Sequence, residues 1–218
     1  MIKTILFDLD GTLLNTIDDL TDAGNWVCKQ NGWPTHTVEQ FKRMVGNGIP
    51  KLVERFSPEE ARTPEQLAAT LTQFTARYDA HKEDKTAPYP GIPALLKQLR
   101  CEGYQCAVFS NKADDLCGKV IEHYFGRDCF DAVRGSRPNV PTKPDPTGVY
   151  ELMEQLGADP SSTIFVGDSN VDIQTGHNAA LPAIGVLWGF RDEAELTAAG
   201  ADRLVSVPDE ILEIVKKG

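Results

Sequence analysis

A short apolar run that ends in two aspartates constrains this chain more than any other feature. Residues 5–7 are apolar and β-prone, and Asp8, Asp10 and Gly11 follow them directly. This pattern is typical of a buried parallel strand that stops at its carboxyl end, where the ligand crevice of an open α/β sheet lies. If the strand persists to Asp10, alternation points both carboxylates the same way, and such a pair needs a cation or a proton. Asp-Gly alone is also an ordinary turn signal, so later motifs must decide between a site and a plain turn.

Strand and helix patterns alternate through most of the remaining chain. Beyond residue 91, helical patterns separate apolar, β-prone runs, which fall at residues 105–109, 132–133, 163–166, 183–187 and 203–205. Such alternation predicts an α/β fold with a doubly wound, Rossmann-like parallel sheet.

Strand signals disappear between residues 15 and 87. Thr37 and Gln40 have the spacing of a capping box, and Pro64 begins a long amphipathic pattern. We therefore expect a helical cap domain at 15–87, inserted into a catalytic core formed by 1–14 and 88–218.

Charge and cysteine content narrow the classes of partner. The 218 residues carry a formal net charge of −10, whereas nucleic acids and anionic membranes require a basic face. We therefore expect neither partner, and we expect no signal peptide and no membrane span. Five cysteines without a C-x-x-C pair favour reduced thiols and a cytoplasmic location.

Four polar clusters fall at or just after predicted strand or loop ends, and a doubly wound sheet would bring them to one crevice. They are Asp8/Asp10/Thr12, Ser110/Asn111, Lys143 and Asp168/Asp172. Asp8 and Asp168, with a backbone carbonyl, offer the oxygen ligands that Mg²⁺ prefers. A serine hydroxyl and a lysine ammonium suit phosphoryl oxygens, and a carboxylate can act as a nucleophile.

These clusters resemble the four motifs of the haloacid dehalogenase superfamily. The chain carries D-x-D-G-T from Asp8 to Thr12, Ser110-Asn111, Lys143-Pro144, and G-D-S-x-x-D from Gly167 to Asp172. All four occur in order, and the predicted insertion lies where that family has its helical cap of the first type.

The resemblance implies a mechanism and a set of residue roles. Asp8 would attack phosphorus to form an aspartyl-phosphate, and Asp10 would protonate the leaving oxygen and then activate water. Mg²⁺ would be held by the Asp8 carboxylate, the Asp10 carbonyl and Asp168, while Asp172 would orient Lys143 or a metal-bound water. The phosphate-binding residues would be Thr12, Ser110, Asn111 and Lys143.

The resemblance also suggests a substrate class. Gly46-Asn47-Gly48 is similar to the substrate-specificity loop of phosphoglycolate phosphatases, although the same residues would also serve as a plain helix–helix turn. The neighbouring Arg43 and Lys51 could meet a substrate carboxylate or could simply be solvated. We expect an Mg²⁺-dependent phosphatase acting on a small phosphorylated metabolite; the sequence leaves the identity of the ester and the oligomeric state open.

Two other functions remain possible at this point. A phosphosugar mutase resembling β-phosphoglucomutase would share the core motifs, but the cap loop lacks the arginine-bearing stretch of such enzymes. A non-catalytic phosphate-binding protein on the same fold would not need every catalytic position to carry its functional residue, as this chain does.

Overall fold

A computed structural model describes residues 1–217. The eight strands are β1 (Thr4–Phe7), β2 (Leu14–Asn15), β3 (Ala87–Pro88), β4 (Gln105–Ala113), β5 (Ala132–Ser136), β6 (Thr163–Gly167), β7 (Ala183–Val186) and β8 (Arg203–Val205). Six of them form one sheet in the order β5-β4-β1-β6-β7-β8, and each neighbouring pair is parallel. Strands β2 and β3 pair separately where the chain leaves the core and returns to it.

The described residues form ten α-helices, with short 3₁₀ turns at Glu59–Ala61 and Pro160–Ser162. The helices are α1 (Ile17–Gln30), α2 (Val38–Met44), α3 (Ile49–Phe56), α4 (Pro64–His81), α5 (Ile92–Cys101), α6 (Asp114–Phe125), α7 (Thr147–Leu156), α8 (Asn170–Asn178), α9 (Glu193–Ala198) and α10 (Asp209–Lys217).

Strand β1 lies inside the sheet and is buried on both faces. Ile5 and Phe7 pack into an apolar cluster with side chains of α5, α6 and α10. Leu6 points to the opposite face and packs in a cluster that includes side chains of α7. Helices therefore cover both faces of a parallel sheet, which confirms the predicted doubly wound α/β fold and explains why β1 is apolar at successive positions.

The chain divides into two compact units. One contains Met1–Leu14 and the chain from Pro88 onwards, and the other is Asn15–Ala87. The second unit is helical, and four aromatic rings run through its interior as neighbours, with centroids 5.8 to 6.0 Å apart. They belong to Phe41, Phe56, Phe74 and Tyr78.

The structure confirms one local sequence prediction and extends another. The capping box is confirmed, because Thr37 Oγ1 accepts from Gln40 N and the Gln40 side chain accepts from Thr37 N. Strand β4 continues four residues past the predicted end at 109, with an irregular register against β5 between Phe109 and Ala113. Ser110 and Asn111 therefore lie within the strand rather than after it.

Among the described residues, no helix has the length and apolar character needed to cross a bilayer.

Candidate active site

The loop after β1 turns sharply away from the sheet. Asp8 N still donates to Val166 O of β6 at 2.9 Å, but the strand itself ends at Phe7. Gly11 then adopts a φ of +93°, a conformation that favours glycine. The strand does not persist to Asp10, so strand alternation does not set the directions of the two carboxylates.

Asp8 shares a buried lysine with Asp172. Lys143 Nζ lies 2.7 Å from Asp8 Oδ1 and 2.6 Å from Asp172 Oδ1. Asp172, on the first turn of α8, also accepts hydrogen bonds from Ser169 N and Ser169 Oγ. The lysine is therefore fixed between two carboxylates, one of which is itself held by the helix start.

The backbone of Lys143 is held by Asn111. Lys143 N donates to Asn111 Oδ1 at 2.8 Å, and Asn111 Nδ2 donates to Lys143 O at 3.2 Å. Residues 111 and 143 lie on β4 and on the loop before α7, so this amide joins two segments at the same sheet edge. The structure thus gives Asn111 a positioning contact, and its predicted role as a phosphate ligand stays a prediction.

Asp168 occupies a tight niche at the end of β6. Its Oδ2 accepts from Phe190 N at 2.7 Å, and its Oδ1 accepts from Thr12 Oγ1 at 3.3 Å. A Cβ on Gly11 would lie 2.3 Å from Asp168 Oδ2, and one on Gly189 would lie 2.2 Å from Asp168 Cβ. Thr12 directs its fully buried hydroxyl at this carboxylate, and its contact with phosphate stays a prediction.

Three carboxylates crowd together with one lysine. Oxygens of Asp8, Asp168 and Asp172 lie within 4.8 Å of one another. Burial, with added repulsion from Asp172, raises the pKa of Asp8 to about 7, although Lys143 opposes the shift. Burial, together with repulsion from Asp172 and Asp8, also raises the pKa of Asp168.

The pKa of Lys143 is raised, because its two carboxylate partners outweigh the opposing effect of burial. Because one ammonium stands beside three carboxylates, the cluster carries surplus negative charge when the carboxylates are ionised. Hard oxygen donors with surplus negative charge fit a small divalent cation, and the chemistry of the donor set agrees with Mg²⁺.

Asp10 meets a different cation, Lys112 of β4. Lys112 Nζ lies 3.1 Å from Asp10 Oδ1 and 3.3 Å from Oδ2. Our reading of the sequence did not single out Lys112. The signal that could have found it is its position directly after the Ser110-Asn111 motif.

Trp188 is a second residue of this site that the four sequence motifs do not indicate. Its Nε1 donates to Thr12 O at 3.0 Å, and Phe190 N holds Asp168. The segment after β7 therefore braces both the loop that carries Asp8 and the carboxylate on β6. Ser110 lies at the same sheet edge, and its Oγ accepts from Lys112 N at 3.3 Å.

The predicted specificity loop belongs to the helical unit, where it joins α2 to α3. Gly46 and Gly48 have φ values of +121° and +81°. Arg55 Nη2 donates to Asn47 Oδ1 at 2.7 Å, and Arg55 Nη1 donates to Met44 O at 2.6 Å. The loop is therefore shaped from within its own unit, and its contact with substrate stays a prediction.

The two cations beside this loop are both exposed. Lys51 Nζ forms an ion pair with Glu54 at 2.7 Å, and the Arg43 side chain lies on the surface. Neither observation assigns them a substrate contact.

This chain is similar to known proteins over most or all of its length. Residues 5–186 match the family model for haloacid dehalogenase-like hydrolases. A phosphoglycolate phosphatase from Chromobacterium violaceum is 32% identical, over 100% of this chain and 98% of that protein. One from Aquifex aeolicus is 29% identical over 98% and 96%. The crystal structure of a protein assigned as a phosphoglycolate phosphatase from Lactobacillus delbrueckii is similar with a TM-score of 0.91, 32% identity and 98% coverage of both chains.

Proposed function

The chain belongs to the haloacid dehalogenase-like hydrolase family, and from this premise we propose that it is an Mg²⁺-dependent phosphatase of small phosphate monoesters. The observation that carries the proposal is the placement of Asp8. Its carboxylate stands at a sheet edge beside a buried lysine and a second buried aspartate, Asp168. A nucleophile, an anion-binding cation and a potential metal ligand therefore share one site.

Asp8 acts as the nucleophile in the first step. One of its oxygens forms a bond to phosphorus while the bond from phosphorus to the ester oxygen breaks. Lys143, 2.7 Å from Asp8 Oδ1, lies where it can also balance charge on the phosphoryl oxygens. Asp10 gives a proton to the departing oxygen, and the products of this step are an alcohol and an aspartyl-phosphate.

Asp10 reverses its role in the second step. It takes a proton from water as the water oxygen attacks phosphorus, and the bond from phosphorus to the Asp8 oxygen breaks. Inorganic phosphate leaves, and Asp8 returns as a carboxylate. An aspartate at position 10 is useful only when the leaving atom needs a proton, which favours phosphate esters over carbon–halogen bonds.

Asp8, Asp168 and the backbone carbonyl of Asp10 would hold the metal ion. Bound Mg²⁺ neutralises negative charge on the phosphoryl group and on the attacking carboxylate. Asp172 supports this arrangement by fixing Lys143 rather than by reaching the substrate. Ser110, Thr12 and Asn111 are the other predicted phosphate ligands.

The names of the relatives point to a substrate of the phosphoglycolate type. We extend the proposal to this chain, with Gly46-Asn47-Gly48 as the loop that distinguishes one leaving group from another. The five cysteines are free thiols, which supports a cytoplasmic location.

A screen of phosphorylated metabolites tests the proposal. We expect the highest kcat/KM for a small carboxylated monoester such as phosphoglycolate in Mg²⁺, with activity lost in a chelator. The Asp8→Asn variant, purified in parallel, controls for contaminating phosphatases. Turnover that requires a bisphosphate activator would instead identify a mutase, and the absence of turnover on any ester would reject enzymatic function.

A further inference from the structure

Asp10 has a cationic neighbour that the four motifs do not explain. The single ammonium of Lys112 is 3.1 and 3.3 Å from the two oxygens of the Asp10 carboxylate. The Lys112 side chain is 2% exposed and that of Asp10 is 15% exposed. An ion pair this well shielded holds its partners in one geometry far better than a surface pair.

The backbone around Lys112 is anchored at several points. Lys112 N donates to Ser110 Oγ, and Lys112 O accepts a weak bond from Cys117 Sγ at 3.5 Å. Gly135 of the neighbouring strand packs so closely that a Cβ there would lie 2.5 Å from Lys112 O. Strand pairing and close packing thus fix the origin of the side chain, and with it the position of the ammonium.

The two buried lysines of the site serve different carboxylates. Lys143 lies between Asp8 and Asp172, where the nucleophile and the phosphoryl group meet. Lys112 contacts Asp10, whose proposed work is proton transfer to and from oxygen. This separation means that removing each lysine should damage a different part of the reaction.

We propose that Lys112 is a positioning residue that holds the Asp10 carboxylate in the orientation required for proton transfer. It acts through Asp10 and is not a phosphate ligand. The inference rests on the proposed phosphatase function, because it assigns a role within the same site.

Leaving-group chemistry separates this role from a general structural one. An alkoxide is strongly basic and leaves phosphorus only with a proton, so its departure depends on a well-placed Asp10. A dinitrophenolate leaves without a proton. Loss of Lys112 should therefore slow alkyl esters selectively, and kcat/KM reports this because it covers the steps through the first bond cleavage.

The first experiment compares Lys112→Met with wild type on phosphoglycolate and on 2,4-dinitrophenyl phosphate. We expect kcat/KM to fall by about 30-fold or more for the alkyl ester and by less than about 3-fold for the aryl ester, in line with general acid–base contributions. Lys112→Arg should recover part of the loss. Lys119→Met, which removes an exposed lysine paired with Asp115 at 3.7 Å, is the matched control and should change neither value.

A double-mutant cycle with Asp10→Asn tests whether Lys112 acts through Asp10. In the Asp10→Asn background, Lys112→Met should alter kcat/KM for phosphoglycolate by no more than about 2-fold, because the group that it positions is gone. Inhibition by inorganic phosphate should be unchanged by Lys112→Met alone. If Lys112→Met does not fold, Lys112→Gln enters the same cycle.

Two results would overturn the inference. Equal losses on both esters together with weaker phosphate inhibition would make Lys112 a phosphate ligand. Additive effects of the two substitutions would show that Lys112 acts independently of Asp10. Failure of the proposed function itself is distinguishable, because wild type would then hydrolyse neither ester.

Discussion

The edge of the main sheet and the interior of the helical unit are built on opposite principles. At the sheet edge the protein buries charged groups, which are Asp8, Asp168, Asp172, Lys112 and Lys143. In the helical unit it buries a row of aromatic rings, and its lysine pairs, such as Lys51–Glu54 and Lys85–Asp22, are substantially exposed.

One aspartate in the helical unit shows what a structural buried carboxylate looks like. Asp19 accepts hydrogen bonds from Lys85 N, Thr86 N and Thr86 Oγ1, so its charge is met by several donors. Asp8 has a crowded set of like charges instead, which raises its pKa. Buried charge without full compensation costs stability, and its presence at the sheet edge is best explained by chemistry rather than folding.

The largest effect is expected from Asp8→Asn. Loss of the nucleophile should lower kcat by about 10³-fold or more, while the metal-free protein should be at least as stable as wild type because one repelling charge is removed. Steady-state kinetics and thermal unfolding measure the two quantities. Asp22→Asn, at an exposed carboxylate of the helical unit, should change neither by much. A variant that retains substantial turnover would refute the covalent role of Asp8.

In the helical unit we expect a substitution to lower the stability of the protein. Phe74 is fully buried, with ring centroids of Phe56 and Tyr78 each 5.8 Å away. Phe74→Ala should lower the free energy of unfolding in urea by about 3–5 kcal/mol, through lost burial and a residual cavity. Thr72→Ala, on the exposed side of the same helix, should cost less than about 0.5 kcal/mol. Similar values for both variants would mean that the aromatic row does not stabilise the unit.

Stability of the sheet edge should depend on pH and Mg²⁺ together. Because the pKa of Asp8 is raised to about 7 without metal, the folded state binds protons more tightly than the unfolded state. The contribution of Asp8 to stability is therefore complete below the ordinary aspartate pKa and is lost as the pH rises through about 7. Mg²⁺ requires ionised carboxylates, so the increase in Tm from millimolar Mg²⁺ should be several degrees greater at about pH 8 than at about pH 5.

Asp168→Asn provides the comparison for that measurement. It removes one carboxylate from the cluster and should greatly reduce the Tm increase at the higher pH. An increase that is independent of pH, or one that survives the substitution, would place the Mg²⁺ effect elsewhere.

The smallest effect is expected from the loop of the helical unit. Asn47→Ala removes the acceptor for Arg55 and should change the ratio of kcat/KM values between esters by about 2- to 10-fold. Inhibition by inorganic phosphate should stay nearly constant, since phosphate lacks the leaving group. A uniform loss on every ester, with weaker phosphate inhibition, would mean that the loop supports the phosphate site instead.

The sequence predicted the main sheet well because each of its six strands carried its own local signal. It could also place Asp8, Lys143 and Asp168 near one sheet edge, since strand ends can be read from apolar runs. It could not assign contacts between distant residues. Lys112 and Asp10, which form an ion pair, lie 102 positions apart in the sequence, and the hydrogen-bonded Trp188 and Thr12 lie 176 positions apart. Spacing alone does not show which lysine contacts which carboxylate.

The contact of Thr12 with Asp168 could not be predicted, for a related reason. A hydroxyl in a D-x-D-G-T motif suggests a phosphate contact, yet the direction of that hydroxyl depends on how closely Gly11 and Gly189 approach Asp168. Such packing is decided by the whole sheet edge, and no local pattern reports it.

The parallel pairing of β1 also bears on how the protein is made. Thr4 of β1 pairs with Gln105 on one side and with Thr163 on the other, so the strand is synthesised long before either neighbour leaves the ribosome. Contacts of such long sequence separation form late, whereas the contacts of the helical unit lie within Asn15–Ala87. The nucleophile is therefore among the first parts of the site to be translated, and its neighbours Lys143, Asp168 and Asp172 are all translated later.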